Sequence, residues 1–368
     1  MRDKFKQIIG TGGIGSGILF KLEGNQPLGR EESRAGILTP FKDYCKLHII
    51  FHYLAVLLKD SSFLVRAIGR VGEDHIGAQL LSEMEEAGID VTFVEIDPTN
   101  RTLFSACFQY PDLTGGNITS SNSASGSITP KDIDQCIEKI SEEQNHQDNF
   151  LSESFVMAVP EVSIDTRLHL LNKGKQHGSF NVASVLSGEV EEFARRGGFE
   201  LVDLLAINID EAKAIVSYFG EGLSHKLEEK EEQIIALHCA HALTKLNPEM
   251  YITITMGSKG CYGYSEGELA FTPCAKVEAI GTAGAGDAFL AGTLMGLYYS
   301  LPFKKDAPDT RFAKTPLASA IELGTLVAAM AVTSPDTINH GLNTEVLSSY
   351  VIENKIEASE EFLSCLGR

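Results

Sequence analysis

The stretch that decides the reading is Ile280-Gly-Thr-Ala-Gly-Ala-Gly-Asp-Ala-Phe-Leu-Ala-Gly292, a glycine-rich turn running directly into an apolar helix with an aspartate at the joint. Gly281, Gly284 and Gly286 allow a tight turn in which successive N–H groups near the helix start point at one spot. Those groups have no partner inside the helix and the dipole end is positive, so the spot favours an anion. Asp287 stands beside it, where a carboxylate accepts the proton of an attacking hydroxyl while the hole holds the charge of a transferred group. Ala288, Gly292 and Gly296, at i, i+4 and i+8, form a small-residue stripe that predicts close packing of this helix against a sheet. A plainer account fits the same residues, because Asp favours the first turn of any helix for dipole reasons alone.

Gly284-Ala-Gly-Asp-Ala-Phe289, with Thr282 adjoining, closely resembles the signature of the ribokinase-like (PfkB) carbohydrate and nucleoside kinases. The resemblance implies that Asp287 is the catalytic base and that Gly284, Ala285 and Gly286 form the anion hole. Three further segments resemble the same family in the same order along the chain. Gly69-Arg-Val-Gly-Glu-Asp-His-Ile-Gly77 carries an Arg-Val-Gly-Glu-Asp-x-x-Gly run. Asn208-Ile-Asp-Glu211 matches an Asn-x-x-Glu motif, which implies a place for Asn208 and Glu211 in a network of Mg²⁺ and phosphate. Oxygen ligands or outer-shell acceptors suit such a hard cation, and the spacing equally fits a helix capping box. Ile252-Thr-Ile-Thr-Met-Gly-Ser-Lys-Gly260 resembles a Thr-x-Gly-x-x-Gly nucleotide segment, with Gly257 and Gly260 for close backbone approach and Thr255 and Ser258 as donors. By the same resemblance Thr282 and the loop at Ser334 meet the nucleotide.

The chain also departs from that family. Its first strand should end at a sugar-contacting aspartate, but Gly13, Ile14, Gly15 and Ser16 stand there, and the Gly-Gly-x-x-x-Asn substrate motif is replaced by Tyr44-Cys-Lys-Leu-His-Ile-Ile-Phe-His-Tyr53. Gly13 and Ser16 remain candidate substrate contacts. So do His48 and His52, which share one helix face at i and i+4, although structural histidines satisfied in the core fit that spacing as well. Many relatives hold K⁺ with an aspartate at the start of Asp-Thr-x-Gly-Ala-Gly-Asp; Gly281 occupies that place, which predicts a rate nearly independent of K⁺.

Over 368 residues, 43% are hydrophobic and 22% charged, which describes a globular chain with ample core material. Lys plus Arg at 31 against Asp plus Glu at 50 leaves a net charge of −19, which argues against partners such as nucleic acid or an anionic membrane. An anionic substrate would need a local basic pocket. The seven cysteines are scattered and never form a CxxC pair, so a reduced, cytoplasmic protein is expected. His238-Cys239-Ala-His241 suits an ordinary helix better than a metal site. No targeting or membrane-spanning segment is visible.

Gln7 to Gly10 reads as a short buried strand. Ile18 to Thr39 reads as short strands, Phe41 to Leu58 as a helix, and Phe63 to Ile68 as a strand before a helix that stops near Gly88. Val91 to Ile96 and Leu103 to Tyr110 read as strands, and Leu113 to Ser127 as a mobile loop; with Ile18 to Thr39 they predict a β lid within about 18–39 and 91–127 that excludes water. Further on, strands at Phe155 to Val159, Ser179 to Val182, Leu201 to Ile207 and Tyr251 to Thr255 alternate with helical stretches, which predicts a parallel sheet covered on both faces. Ser141 to Asn149 and Ser224 to Gln233 read as solvated surface.

The expected fold is therefore one ribokinase-like α/β domain over 1–368, a three-layer sandwich with a mostly parallel central sheet and a small β-strand lid. The expected activity is transfer of the γ-phosphoryl group of ATP, with Mg²⁺, to a hydroxyl of a sugar, sugar phosphate or nucleoside, by a protein that dimerises through the lid. A non-enzymatic nucleotide-binding regulator is the alternative that the departures favour, whereas Asp287 favours an enzyme. Gly10-x-Gly12-x-x-Gly15 has the spacing of a dinucleotide-binding turn but lacks a following helix.

Overall fold

The computed structural model describes residues 4–112, 114–144, 150–220, 232–306 and 309–367. Seven strands run parallel: β1 (Gln7–Thr11), β5 (Leu64–Gly72), β6 (Asp90–Asp97), β9 (Ser154–Ala158), β10 (Phe180–Ala183), β11 (Leu204–Asn208) and β12 (Tyr251–Thr255). The antiparallel hairpin of β13 (Gly260–Ser265) and β14 (Glu268–Pro273) extends one edge, giving the order β14-β13-β12-β11-β10-β9-β1-β5-β6. All five residues of β1 are buried, as expected for a central strand covered on both faces.

Alternate residues of these strands feed different layers. Ile8, Phe155, Met157 and Leu204 pack with α1 (Lys46–Leu57), α2 (His75–Glu86), α8 (Ala285–Tyr298), α9 (Ala320–Ala331), α10 (Thr344–Glu353) and α11 (Glu360–Cys365). Ile9 and Val156, then Leu205, Ile252 and Ile254, face α3 (Pro130–Glu143), α4 (Ile164–Gln176), α5 (Val190–Arg195), α6 (Ile209–Phe219) and α7 (Glu232–Thr244). The result is the expected three-layer α/β sandwich. No helix among the described residues is long and apolar enough to cross a membrane.

The small-residue stripe has a different partner from the one expected. A Cβ on Gly292 would lie 2.8 Å from the Gly324 Cα, and one on Gly296 would lie 2.6 Å from the Ala320 Cα. The stripe therefore brings α8 backbone-to-backbone against α9, not against the sheet.

A second sheet contains β3 (Gly36–Leu38), β2 (Gly15–Leu22), β7 (Leu103–Gln109) and β8 (Gly115–Thr119) in that order, with the two-residue β4 (Asp43–Tyr44) also on β2. This is the small β sheet anticipated near 18–39, but its second portion needs correction. Val91 to Ile96 lies in β6, parallel to β5 at the edge of the large sheet. The segment expected to be a loop from residue 113 carries β8 and a short turn at Ser125–Ser127, with Leu113 itself outside the described residues. The helix expected over Phe41 to Leu58 starts later, at Lys46, because Asp43 and Tyr44 pair with β2 first. The polar run from Ser141 leaves α3 and passes outside the described residues at 145–149, and most of Ser224 to Gln233 lies outside them too.

Candidate active site

The site gathers at the C-terminal ends of the parallel strands, where open α/β sheets place their ligands. Gly284 caps α8 with φ +77°, a conformation that favours glycine, and a Cβ there would come within 2.5 Å of the Thr337 carbonyl oxygen. Gly281 is as tightly held, since its Cβ would meet the Ser334 and Pro335 carbonyl oxygens at 2.8 and 2.9 Å. The N–H groups of Ile280 and Gly281 both donate to the Val332 carbonyl, which fixes the turn against the loop containing Ser334. A Cβ on Gly286 would meet nothing within 4 Å, so the helix start is open where its first-turn N–H groups have no acceptor within the helix. Asp287 follows in that first turn.

Opposite Asp287 stands Lys46, the first residue of α1, with its Nζ 3.4 Å from Asp287 Oδ1. The Asp287 side chain is 14% exposed, and burial raises its pKa against the lowering influence of Lys46. The Lys46 ammonium is held above its usual range chiefly by the Asp287 charge. An open helix start, a carboxylate and an ammonium group thus meet at one point.

Asn208 ends β11 and caps α6. Its Oδ1 accepts from the N–H groups of Asp210 and Glu211, both at 2.9 Å, and Glu211 Oε2 accepts from the Asn208 N–H at 2.8 Å. The capping box is therefore formed, and it aims the largely buried Glu211 carboxylate toward Lys46 and Asp287, whose charges it feels. Burial raises its pKa, with Lys46 opposing. Asn208 pairs in register with Thr255 on β12, so the next candidate segment adjoins it. There Gly260, at φ +121°, would carry a Cβ only 2.2 Å from the Thr272 carbonyl oxygen, whereas Gly257, at φ +57°, is open. Ser258 is exposed, while the Thr255 hydroxyl already donates to the Ile207 carbonyl at 3.5 Å.

The candidate substrate residues divide. Gly13 lies in the site, where its lack of a side chain makes room for Glu161: a Cβ on Gly13 would fall 2.2 Å from Glu161 Oε2. Ser16 pairs with Tyr44 and Phe104, and strand alternation puts it on the face opposite Gly15 and Gly17. His48 and His52 are enclosed at 0% and 5% exposure, with ring centroids 4.7 Å from Tyr44 and 5.0 Å from His340 respectively. The structure does not bring these two histidines to a ligand surface, because nearly all of α1 is buried.

Three residues of the site escaped the sequence reading. Lys46 was the one lysine in the divergent Tyr44 to Tyr53 run. Glu161 follows the end of β9, a position that strand order alone could have flagged. It adopts φ +78°, its Oε2 is buried without a partner, and burial pushes its pKa up to about 7 while the Cys45 thiol and Lys46 act to lower it. Asp43, on β4, accepts from Ser105 Oγ at 2.8 Å and Cys107 Sγ at 3.2 Å, and its charge reaches both Glu161 and Asp287.

Among the described residues no cluster of three or more His, Cys, Asp or Glu side chains forms a cage for a metal ion. The hard carboxylate of Glu211, set in place by its cap with Asn208, nevertheless suits Mg²⁺, which keeps most of its waters and is commonly held through substrate phosphates and one or two carboxylates. The open start of α8 likewise fits a phosphate.

This arrangement matches a known family. Residues 54–345 fit the model of the pfkB family carbohydrate kinases, and the chain belongs to that family. A deoxyribokinase of Salmonella typhi is 25% identical over 235 residues, covering 61% of this chain and 66% of that relative. Among solved structures, ribokinase from Giardia lamblia superposes with a TM-score of 0.72 at 16% identity, covering 95% of this chain and 99% of its own. Ribokinase from Cryptococcus neoformans var. grubii serotype A in complex with ADP gives 0.69 at 16% identity, covering 94% and 99%. Aminoimidazole riboside kinase from Salmonella enterica, complexed with aminoimidazole riboside and an ATP analog, gives 0.61 at 16% identity, covering 93% and 99%. These structures share the fold.

Proposed function

We propose that this protein transfers the γ-phosphoryl group of ATP to a hydroxyl of a sugar, sugar phosphate or nucleoside. The observation that carries this reading is Asp287 in the first turn of α8, beside an open helix N-terminus and opposite Lys46. The acceptor hydroxyl gives its proton to Asp287 as its oxygen bonds to the γ-phosphorus; the bond from that phosphorus to the bridging oxygen breaks, and ADP leaves. The N–H groups at Gly284, Ala285 and Gly286 and the Lys46 ammonium take up the charge of the moving phosphoryl. Mg²⁺, held through Asn208 and Glu211, would supply further neutralisation of the phosphates. Thr255, Gly257, Ser258 and Gly260, with Thr282 and Ser334, hold the nucleotide. The smaller sheet is the lid of a single kinase domain.

The exposed Leu38, Phe104 and Ile118, on the lid face carrying Ser16, support a homodimer through the lid. The seven cysteines are free, which supports a reducing, cytoplasmic setting. A coupled ADP-release assay across sugars, nucleosides and sugar phosphates tests the activity. The Asp287→Asn variant should bind ATP yet turn over about 10²- to 10⁴-fold more slowly. Parent-level turnover by that variant would remove Asp287 from the role of base.

A further inference from the structure

One carboxylate outside the site takes hold of the segment that enters it. Glu83, on α2, stands three residues beyond Leu80 and one before Met84, and both of those are buried, so the packing of α2 fixes where its carboxylate lies. Its Oε1 accepts from Lys42 Nζ at 2.6 Å and from Gln79 Nε2 at 2.8 Å, and its Oε2 accepts from the Tyr44 hydroxyl at 2.8 Å. Burial acts to raise the Glu83 pKa, but the bonds from Lys42, Gln79 and Tyr44 outweigh it and hold the group below its ordinary value. Each oxygen of this carboxylate thus grips one of the two residues that flank Asp43.

Strand alternation gives that grip its meaning. Side chains at 42 and 44 leave the chain on one side of β4 and that at 43 on the other. Lys42 and Tyr44 turn to α2, while Asp43 turns to Ser105 and Cys107 of β7. The buried Tyr44 ring also stands edge-on to His48 at 4.7 Å and to His340 at 6.1 Å. Two residues past Tyr44 the chain starts α1 at Lys46, whose Nζ lies 3.4 Å from Asp287 Oδ1. That distance is near the limit of an ion pair, so a displacement of about 1 Å at the start of α1 breaks it, and misplacement of that size costs on the order of 10²-fold in rate. Stability does not account for the grip, because Lys42 is half exposed and such an ion pair contributes little.

We propose that Glu83 is a positioning residue for phosphoryl transfer: by holding Lys42 and Tyr44 on either side of Asp43 it sets the start of α1 and so keeps Lys46 opposite Asp287. The inference rests on the kinase reading and adds to it a residue that acts from outside the site.

The test uses the full chain with Mg²⁺ and ATP, and takes as probe whichever of D-ribose, 2-deoxy-D-ribose, D-fructose 6-phosphate and adenosine gives the fastest coupled ADP release. Glu83→Leu deletes both grips. It should lower kcat about 10- to 10²-fold and move the acid limb of kcat/KM toward higher pH, because Asp287 loses the neighbouring charge that lowers its pKa. Glu83→Gln keeps the side-chain volume and one acceptor oxygen, and should fall between the parent and Glu83→Leu on both readings. It carries the test if melting temperature shows Glu83→Leu unfolded. Lys42→Met combined with Tyr44→Phe removes the grips from the other side and should reproduce Glu83→Leu. In a Lys46→Met background Glu83→Leu should cost no more than about twofold further, because residues that act through one group are not additive. Parent-like kcat and an unmoved acid limb in the Glu83 variants would overturn the assignment. So would a full additional loss in the Lys46→Met background, which would make Glu83 a structural brace alone. Absence of ADP release from the parent with all four acceptors would overturn the kinase reading and this inference together.

Discussion

At the scale of single residues, the pairing of Lys46 with Asp287 joins positions 241 apart in the chain. Burial raises the Asp287 pKa, and Lys46 is the main influence that lowers it. Lys46→Met should therefore push that pKa further up. Because the base must be ionised to accept a proton, the acid limb of kcat/KM should move toward higher pH, alongside a fall in kcat on the order of 10²-fold from the lost charge stabilisation. A pH–rate profile checks this; an unmoved acid limb would mean that Lys46 does not govern the base. Asp287, Gly284 and Glu211 were legible in the sequence because a glycine turn before a helix and a cap three residues from its partner are local signals. Glu161, Lys46 and Asp43 were not, since their significance arises only when distant strand ends and the small sheet come together.

At the scale of elements, α1 shows how a polar pair becomes core. His48 and His52 are enclosed against Tyr44, Tyr53 and His340, and their four ring nitrogens lack partners. Burial pushes their pKa values down to about 3 and about 4, with His340 acting in the same direction and Glu83 opposing. The fold thus favours the neutral rings, while the unfolded chain takes up protons below about pH 6.5. Their contribution is intact above that pH and is lost as pH falls toward the folded values, by about 2 kcal/mol each between pH 6.5 and 5. Melting temperature should drop over that range in the parent, and the double variant His48→Phe with His52→Leu should show a shallower slope; equal slopes would show that the acid sensitivity lies elsewhere. The loop before α8 carries a second expectation. Gly281 packs against the Ser334 and Pro335 carbonyls with no space for a carboxylate side chain. A cage of neutral oxygens binds a monovalent ion weakly. Rates in matched K⁺ and tetramethylammonium buffers should agree within about twofold on that ground, and strong K⁺ activation would show that another residue has taken over. Element types were largely readable from period and punctuation, but sheet membership was not. The pattern of β6 announces a strand and says nothing about its neighbour, so β6 was taken for lid when it belongs beside β5.

At the scale of the whole molecule, the net charge of −19 has a local counterpart, since the charges of Asp43 and Lys46 act in opposite directions on both Glu161 and Asp287. The three-layer order was legible because alternating strands and helices leave few other topologies. How the smaller sheet is attached was not. Its β4 is tied to the far end of the chain: Lys42 N–H donates to Asp336 Oδ1 and Tyr44 N–H to Thr337 Oγ1, both at 3.0 Å, and the Thr337 N–H donates back to the Lys42 carbonyl at 3.3 Å. That same 334–337 loop braces Gly281 and Gly284, and one residue after β4 the chain enters α1 at Lys46. The strand carrying Asp43 and the loop assigned to the nucleotide are therefore fastened together as a single latch. Ligands that share a latch settle it for one another, and thermodynamic reciprocity makes the gain equal in both directions. Acceptor affinity measured calorimetrically should rise about fivefold or more when a non-hydrolysable ATP analogue is present, and the analogue's affinity should rise by the same factor with acceptor bound. Independent affinities would mean that the latch is rigid already. Synergy would mean that neither ligand alone sets the machinery, so that ATP is spared until something is there to receive its phosphate.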